Sequence, residues 1–132
     1  MTSAELLTLL MWASNLSGYP IPDGLPTVQE VTREWMHERA CSHSTNCPFF
    51  AIYDDALDTV YLIPGLTWRA QDNLLVHELV HYLQDKSGKF KDHSCENIAQ
   101  REREAYHVQR IYIWSVQNDF GGLPTPPMRC ES

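Results

Sequence analysis

The stretch LLVHELVHYLQ, residues 74 to 84, places two histidines and a glutamate inside an otherwise apolar run. Thr67 or Asp72 is a suitable N-cap ahead of it, and Gly88 is a suitable C-terminal stop behind it. The stretch is therefore predicted to lie on one helix. Three ionisable groups on an apolar helix need partners, because burying them unpaired is costly.

His77, Glu78 and His81 form the pattern H-E-x-x-H. Residues four apart lie on the same face of a helix, so the two imidazoles can point at one position. Glu78 lies about 100° round the helix axis from His77, beside that position. In this pattern the histidines bind zinc and the glutamate handles protons. The structural alternative is a pair of core histidines whose partners are other protein groups.

A catalytic zinc site commonly has three protein ligands, so a third ligand is expected from elsewhere in the chain. The metzincin pattern would require glycine and histidine where this chain has Gln84 and Ser87, so that class is excluded. Downstream, residues 94 to 116 are predicted to form a long helix that contains several glutamates. The candidate ligands on it are Glu96, Glu102 and Glu104.

Helix geometry separates these candidates only in part. Glu102 and Glu104 are two residues apart, so they point about 200° apart on the helix and cannot both face one ion. Glu102 shares a mostly apolar stripe with the small Ala105. Glu104 heads a second stripe with Val108, so burial excludes neither glutamate. Glu96 lies on the first turn, where it complements the helix dipole.

The segments HELVHYLQ and EREAY together resemble the gluzincin group of zinc metallopeptidases, in which a glutamate on a second helix completes the site, often within E-x-x-A-D. The resemblance covers about residues 57 to 116 and is to a member of minimal size, a minigluzincin. It implies that Glu102 is the third ligand, with Ala105 at the small-residue position. Tyr106 stands where those enzymes usually carry the aspartate that orients a histidine ligand.

The same resemblance implies an α+β, zincin-like fold, with a small mixed sheet, an active-site helix and a second long helix that carries the third ligand. It implies three helices in all and an edge strand, DTVYLIP, along the cleft. One Zn²⁺ per chain would be held by His77, His81 and Glu102, with Glu78 as general base. The implied activity is hydrolysis of peptide bonds in a peptide or protein substrate that pairs with the edge strand.

The donor that would stabilise an oxyanion is left open by the sequence. Tyr106 is one candidate, and a half-buried aromatic that packs on the core face is its structural alternative. The further candidates, each of which fits packing or surface exposure as well, are Tyr82, His93, His107 and Tyr112.

The remaining elements are predicted from caps and from alternation of apolar residues. Thr2 and Glu5 form a possible capping box for a helix over residues 3 to 16. TVQEVTREWMHERAC fits either one helix or a short strand followed by a helix from Thr32, and the second interpretation is favoured. FFAIYD and DTVYLIP flank an Asp-rich turn and predict a β-hairpin.

Length and charge bound the class of protein. A chain of 132 residues that is 43% hydrophobic fits one domain over residues 1–132. With 10 Lys+Arg against 17 Asp+Glu, the net charge of -7 disfavours nucleic acid and anionic membranes as partners.

No apolar run reaches the roughly 20 residues of a membrane helix. LLTLLMWAS lacks the basic start of a signal peptide, so any export signal is expected to have been removed.

The four cysteines are an even set in a small chain, which predicts two disulfides. The favoured pairing joins Cys41 to Cys47 and Cys95 to Cys130. Disulfides indicate an oxidising compartment, so a periplasmic or secreted protein is expected. The alternatives are buried thiols in a cytoplasmic protein and a second metal site.

Two other classes of protein fit the same residues. The chain could instead be a non-catalytic zinc protein that binds a partner through the same cleft, or a toxin-like or immunity module in which the site is only structural. A metal-dependent hydrolase that acts on another substrate is a weaker third alternative. Glu78 favours catalysis, because a structural zinc ion gains nothing from a base beside it.

Overall fold

The computed structural model describes residues 1–41 and 49–120 of the chain. Within these ranges four helices and three short strands form a small α+β fold with a mixed sheet, the class that the resemblance implied. The resemblance to gluzincins implied three helices, one fewer than the described residues contain. The elements, in chain order, are α1 (Ser3–Ser17), β1 (Thr27–Glu30), α2 (Arg33–Cys41), β2 (Ala51–Asp54), β3 (Thr59–Leu62), α3 (Trp68–Ser87) and α4 (Cys95–Ser115).

Side-chain caps explain where the three long helices begin. The hydroxyls of Thr2, Thr67 and Ser94 each accept a hydrogen bond from the backbone N–H three residues later. α1 and α3 then end at Gly18 and Gly88, which adopt the left-handed conformation with φ of 84° and 72°. The predicted helices are therefore confirmed, and the cap of α3 is the first of the two candidates.

β3 is the central strand of the sheet. It pairs in parallel with β1 and antiparallel with β2, so the strand order is β1-β3-β2. The hairpin prediction is thus confirmed, but the prediction that DTVYLIP forms the edge along the cleft is wrong. β2 is the edge strand there, since its second edge has no partner strand among the described residues. A strand covered on both faces reads as an uninterrupted apolar run, as residues 60–63 do.

The sheet separates a main core from a smaller apolar cluster. Val60 and Leu62 belong to the main core, together with apolar side chains of α1, α3 and α4. Tyr61 and Ile63 point to the opposite face, because successive side chains alternate along a strand. There they pack with Met36 of α2. α2 and α3 therefore cover opposite faces of the same sheet.

α3 is the central element of the main core. Its residues 75 to 84 are all buried, because α1, α4 and the sheet each pack against it. α1 contributes Leu6 and Leu10 to this core, and α4 contributes Ala105 and Val108. Neither α3 nor any other helix in the described ranges is long and apolar enough to cross a membrane. The H-E-x-x-H pattern thus lies in the best-covered helix of the fold.

The predicted disulfides fall partly on residues that the structure does not describe. Cys41 ends α2 and Cys95 begins α4, and neither of these two is a free thiol. Cys47 and Cys130, their predicted partners, lie outside the described residues. The pairing and the compartment inferred from it therefore stay predictions.

Candidate metal centre

His77 and His81 lie one turn apart on α3, and Glu102 approaches them from α4. Nε2 of His81 lies 2.5 Å from Oε1 of Glu102, and Nε2 of His77 lies 3.5 Å from Oε2 of the same carboxylate. One ligand atom from each side chain falls within 4.8 Å of the other two. The structure thus brings together the three residues that the sequence predicts as ligands, in a group that could hold a metal ion.

The chemistry of these donor atoms suits a divalent transition metal. Two imidazole nitrogens and one carboxylate oxygen form a ligand set of catalytic zinc sites, in which a further position is kept for water. The side chains of His77 and His81 are 10% and 11% exposed, whereas that of Glu102 is 27% exposed. The group is therefore covered on the α3 side and accessible on the Glu102 side.

The charge of Glu102 is stabilised by the two histidines. Burial would raise the pKa of its carboxyl group, but hydrogen bonds with His77 and His81 outweigh this effect. The pKa of Glu102 is therefore held well below its ordinary range. A carboxylate that stays ionised at neutral pH is the form that binds a cation.

Glu104 does not join the group. Its carboxylate accepts hydrogen bonds from the hydroxyl of Tyr19 at 2.5 Å and the ammonium of Lys89 at 2.8 Å. A third hydrogen bond comes from the side-chain amide of Gln84 at 3.0 Å. The roughly 200° between positions two apart on a helix explains why Glu104 faces elsewhere than Glu102. Glu96 is exposed on the first turn of α4, as expected for a residue that complements the dipole.

Glu78 is buried beside the two histidines, with 6% of its surface exposed. Its Oε2 has no hydrogen-bond partner among the described residues, which is a costly state for a buried carboxylate oxygen. Burial raises the pKa of Glu78 to about 7, an effect that His77 opposes and Glu102 reinforces. A carboxyl group that titrates near neutral pH can both accept and return a proton there.

The second ring nitrogen of each histidine contacts a glutamine. Nδ1 of His77 lies 2.9 Å from Oε1 of Gln109, and Nδ1 of His81 lies 2.8 Å from Oε1 of Gln84. Gln109 and Gln84 are only 3% and 1% exposed. Sequence reasoning missed both roles, although Gln84 lies one turn after His81 and Gln109 lies on the apolar stripe of Glu102. A glutamine on a buried stripe needs polar partners, and that was the available signal.

The set of His77, His81 and Glu102, called the metal group below, opens into a cleft of about 840 Å³. The segment 49–53, which includes most of β2, forms one wall, and Ile98 and Arg101 of α4 contribute to the opposite wall. Phe49 and Phe50 are 48% and 44% exposed beside it. The cleft therefore borders both the metal group and the edge strand β2, and its walls are largely apolar.

Two of the five candidate oxyanion donors line this cleft, namely Tyr106 and His93. Tyr82 and Tyr112 are buried in the main core instead, and His107 is exposed outside the cleft. The packing alternative therefore holds for the two core tyrosines. It is also Gln109, and not Tyr106, that contacts the ring nitrogen of His77.

Fold and site together define a small α+β protein with a two-histidine, one-glutamate group that could hold a metal ion. The chain belongs to the family described as Domain of unknown function (DUF6647), whose model matches residues 1–120. The matched region contains every described helix and strand and the whole metal group. No curated protein and no solved structure shows a significant match to the chain.

Proposed function

We propose that the protein is a zinc-dependent metallopeptidase of zincin-like arrangement, with one Zn²⁺ per chain bound by His77, His81 and Glu102. The observation that carries this proposal is the presence of Glu78 beside that group, buried and with Oε2 unpartnered among the described residues. An unsatisfied buried carboxylate oxygen is costly, and a purely structural metal site would gain nothing from it. A general base, in contrast, needs a carboxylate oxygen that can accept a proton.

Glu78 moves the proton in the proposed reaction. A zinc ion bound here would acidify a water molecule and polarise the carbonyl group of the substrate. Glu78 accepts the proton of that water as the oxygen attacks the carbonyl carbon. Glu78 then gives the proton to the amine nitrogen as the carbon–nitrogen bond breaks, so the carboxylate is regenerated.

The edge of β2 that has no partner strand among the described residues supports an extended peptide as the substrate. The N–H of Ile63 donates to the carbonyl of Phe50 at 3.1 Å, so Phe50 and every second residue after it direct their backbone groups toward β3. The backbone groups of Ala51 and Tyr53 consequently point away from β3, in a segment that lines the cleft. An extended peptide can pair there as a further strand. The exposed ring of Phe49 favours apolar substrate side chains.

Tyr106 is the proposed donor to the oxyanion that develops on the attacked carbonyl. Its ring packs edge-on against that of His77, with the ring centroids 4.5 Å apart, at the wall of the cleft. Burial raises the pKa of the Tyr106 hydroxyl, and the carboxylates of Glu102 and Glu78 raise it further. The hydroxyl therefore keeps its proton at neutral pH and remains a hydrogen-bond donor.

Tyr106→Phe is expected to lower kcat by about 10²- to 10³-fold, because it removes one oxyanion donor. The zinc content should stay at one ion per chain, since no ligand changes. Steady-state kinetics on the zinc-loaded variant check this, with His107→Ala as the matched control outside the cleft. A normal kcat in Tyr106→Phe together with a large loss in His93→Ala would assign the donor role to His93.

Digestion of a peptide library tests the proposed function directly. Protein whose zinc content has been measured by elemental analysis is expected to cleave peptides, and a chelator should abolish the cleavage until zinc is restored. Mass spectrometry of the products would report the preferred side chains. One bound zinc ion per chain without cleavage of any peptide would favour the non-catalytic binding module, and a chain unable to bind zinc would overturn both readings.

A further inference from the structure

Both glutamines that contact the histidines are held by partners on their far sides. Gln84 lies on α3 itself, whereas Gln109 reaches His77 from α4. Each amide carries an oxygen that only accepts and a nitrogen that only donates, so its orientation decides which form of the histidine it can contact. The partners of each amide nitrogen therefore settle which end faces the ring.

Gln84 has only one orientation that satisfies its partners. Its amide nitrogen donates to the backbone carbonyl of Arg101 and to the carboxylate of Glu104, both at 3.0 Å. A carbonyl and a carboxylate can only accept, so rotating the amide by half a turn would set oxygen against oxygen. Oε1 of Gln84 therefore faces His81, and Nδ1 of His81 must carry the proton that it donates at 2.8 Å.

The orientation of Gln109 is fixed in the same way, but through a further residue, Asn73. The amide nitrogen of Asn73 donates to the backbone carbonyl of Arg69 at 3.0 Å, which directs Oδ1 of Asn73 toward Gln109. The amide nitrogen of Gln109 donates to that oxygen at 2.8 Å. Oε1 of Gln109 is left to accept from Nδ1–H of His77 at 2.9 Å.

We infer that Gln84 and Gln109 are positioning residues that keep the proton on Nδ1 of His81 and His77, so that a metal ion that displaces the Nε2 proton donated to Glu102 meets the lone pair of Nε2 in both. The inference rests on the proposed function only in requiring that the site binds zinc. Hydrogen bonds of this kind orient metal-binding imidazoles and raise their basicity, and their loss typically weakens metal binding by about 10- to 100-fold. Here neutral amides make these bonds, so the positioning adds no charge to the site.

The outer ends of the two hydrogen-bond chains also join α3 to α4 on either side of the metal group. The Gln84 chain ends at Arg101 and Glu104 of α4. The Gln109 chain starts on α4 and ends on α3 at Asn73, whose amide nitrogen also lies 3.3 Å from Oε1 of Gln117. Packing of the two helices and orientation of the two imidazoles are therefore coupled.

Nuclear magnetic resonance on zinc-loaded protein labelled with ¹⁵N-histidine tests the tautomers directly. Long-range proton–nitrogen correlations are expected to show a protonated Nδ1 and a zinc-bound Nε2 in both His77 and His81. Coordination through Nδ1 in either residue would overturn the inference. This readout needs no variant, so it stands even if a substitution in the core fails to fold.

Zinc affinity, measured by competition with a chelator, tests the positioning role. Gln109→Leu and Gln84→Leu are each expected to weaken zinc binding by about 10- to 100-fold. Neither Gln109→Glu nor Gln84→Glu should restore affinity. The second carboxylate oxygen would face Oδ1 of Asn73 in the first variant, and the carbonyl of Arg101 and the carboxylate of Glu104 in the second.

Gln100→Leu is the matched control, because Gln100 lies on α4 and its hydrogen bonds go to Arg103 and Glu104. Its zinc affinity should equal that of the wild type. Wild-type affinity in both leucine variants would overturn the positioning role while leaving the proposed function intact. A wild-type chain that binds no zinc would overturn both.

Discussion

Glu78→Gln is expected to abolish most peptide hydrolysis while about one zinc ion stays bound per chain. Glutamine matches glutamate in size but cannot accept the proton of the attacking water, so kcat should fall by about 10²- to 10⁴-fold. His77, His81 and Glu102 are unchanged, so elemental analysis should give the zinc content of the wild type. Turnover equal to that of the wild type would contradict the proposed role of Glu78.

Glu38→Gln is a suitable control for this substitution, because Glu38 is exposed on α2 and does not line the cleft. Stability provides a second measurement on the metal-free protein. Burial raises the pKa of Glu78 from 4.5 to about 7, so its contribution to stability is fully present below pH 4.5 and is lost as the pH rises through about 7. Glu78→Gln should remove this loss, which thermal unfolding at pH 5 and pH 8 would reveal.

Glu102→Ala is expected to lose bound zinc and activity together, whereas Glu104→Ala should retain both within a few-fold. Removing a ligand should weaken zinc binding by more than the roughly 100-fold that loss of a ligand's hydrogen-bond partner can cause. In Glu104→Ala the amide of Gln84 keeps its hydrogen bond to the carbonyl of Arg101, so His81 stays oriented. Competition with a chelator and peptide digestion would compare the two purified variants.

Glu104→Ala is expected to affect the stability of the fold rather than the zinc site. Glu104→Ala deprives Tyr19 and Lys89 of their shared carboxylate, so its melting temperature should fall although its zinc site survives. If Glu104→Ala instead lost zinc and Glu102→Ala kept it, the third ligand would lie two residues further along α4. The role proposed for Tyr106 would then fail as well.

The helices and their ends were predictable because their determinants are local. Thr67 and Gly88 delimit α3 by hydrogen bonds that span only three or four residues, and the sequence displays such residues directly. The pairing of His77 with His81 follows from the same helix geometry. Periodicity and resemblance were enough to favour Glu102, which the structure brings to the two histidines.

The strand order and the glutamine contacts depended on tertiary packing and were not predicted. A hairpin pattern shows that β2 and β3 pair, but not that β1 then docks on β3 and leaves β2 at the edge. Gln109 meets His77 only because α3 and α4 cross at one particular point. Residues 32 positions apart in the chain leave no local pattern that records such a contact.

The ten consecutive buried residues of α3 have a consequence for how the protein can change over evolutionary time. Core side chains such as Leu79 and Val80 lie between His77, Glu78 and His81 in one continuous segment, so a substitution there can affect the stability of the fold and the candidate site at once. Selection can adjust one property independently of the other only outside this segment. For the proposed peptidase, new specificities would therefore be more accessible through the exposed cleft wall near Phe49 than through the helix that carries the proposed ligands.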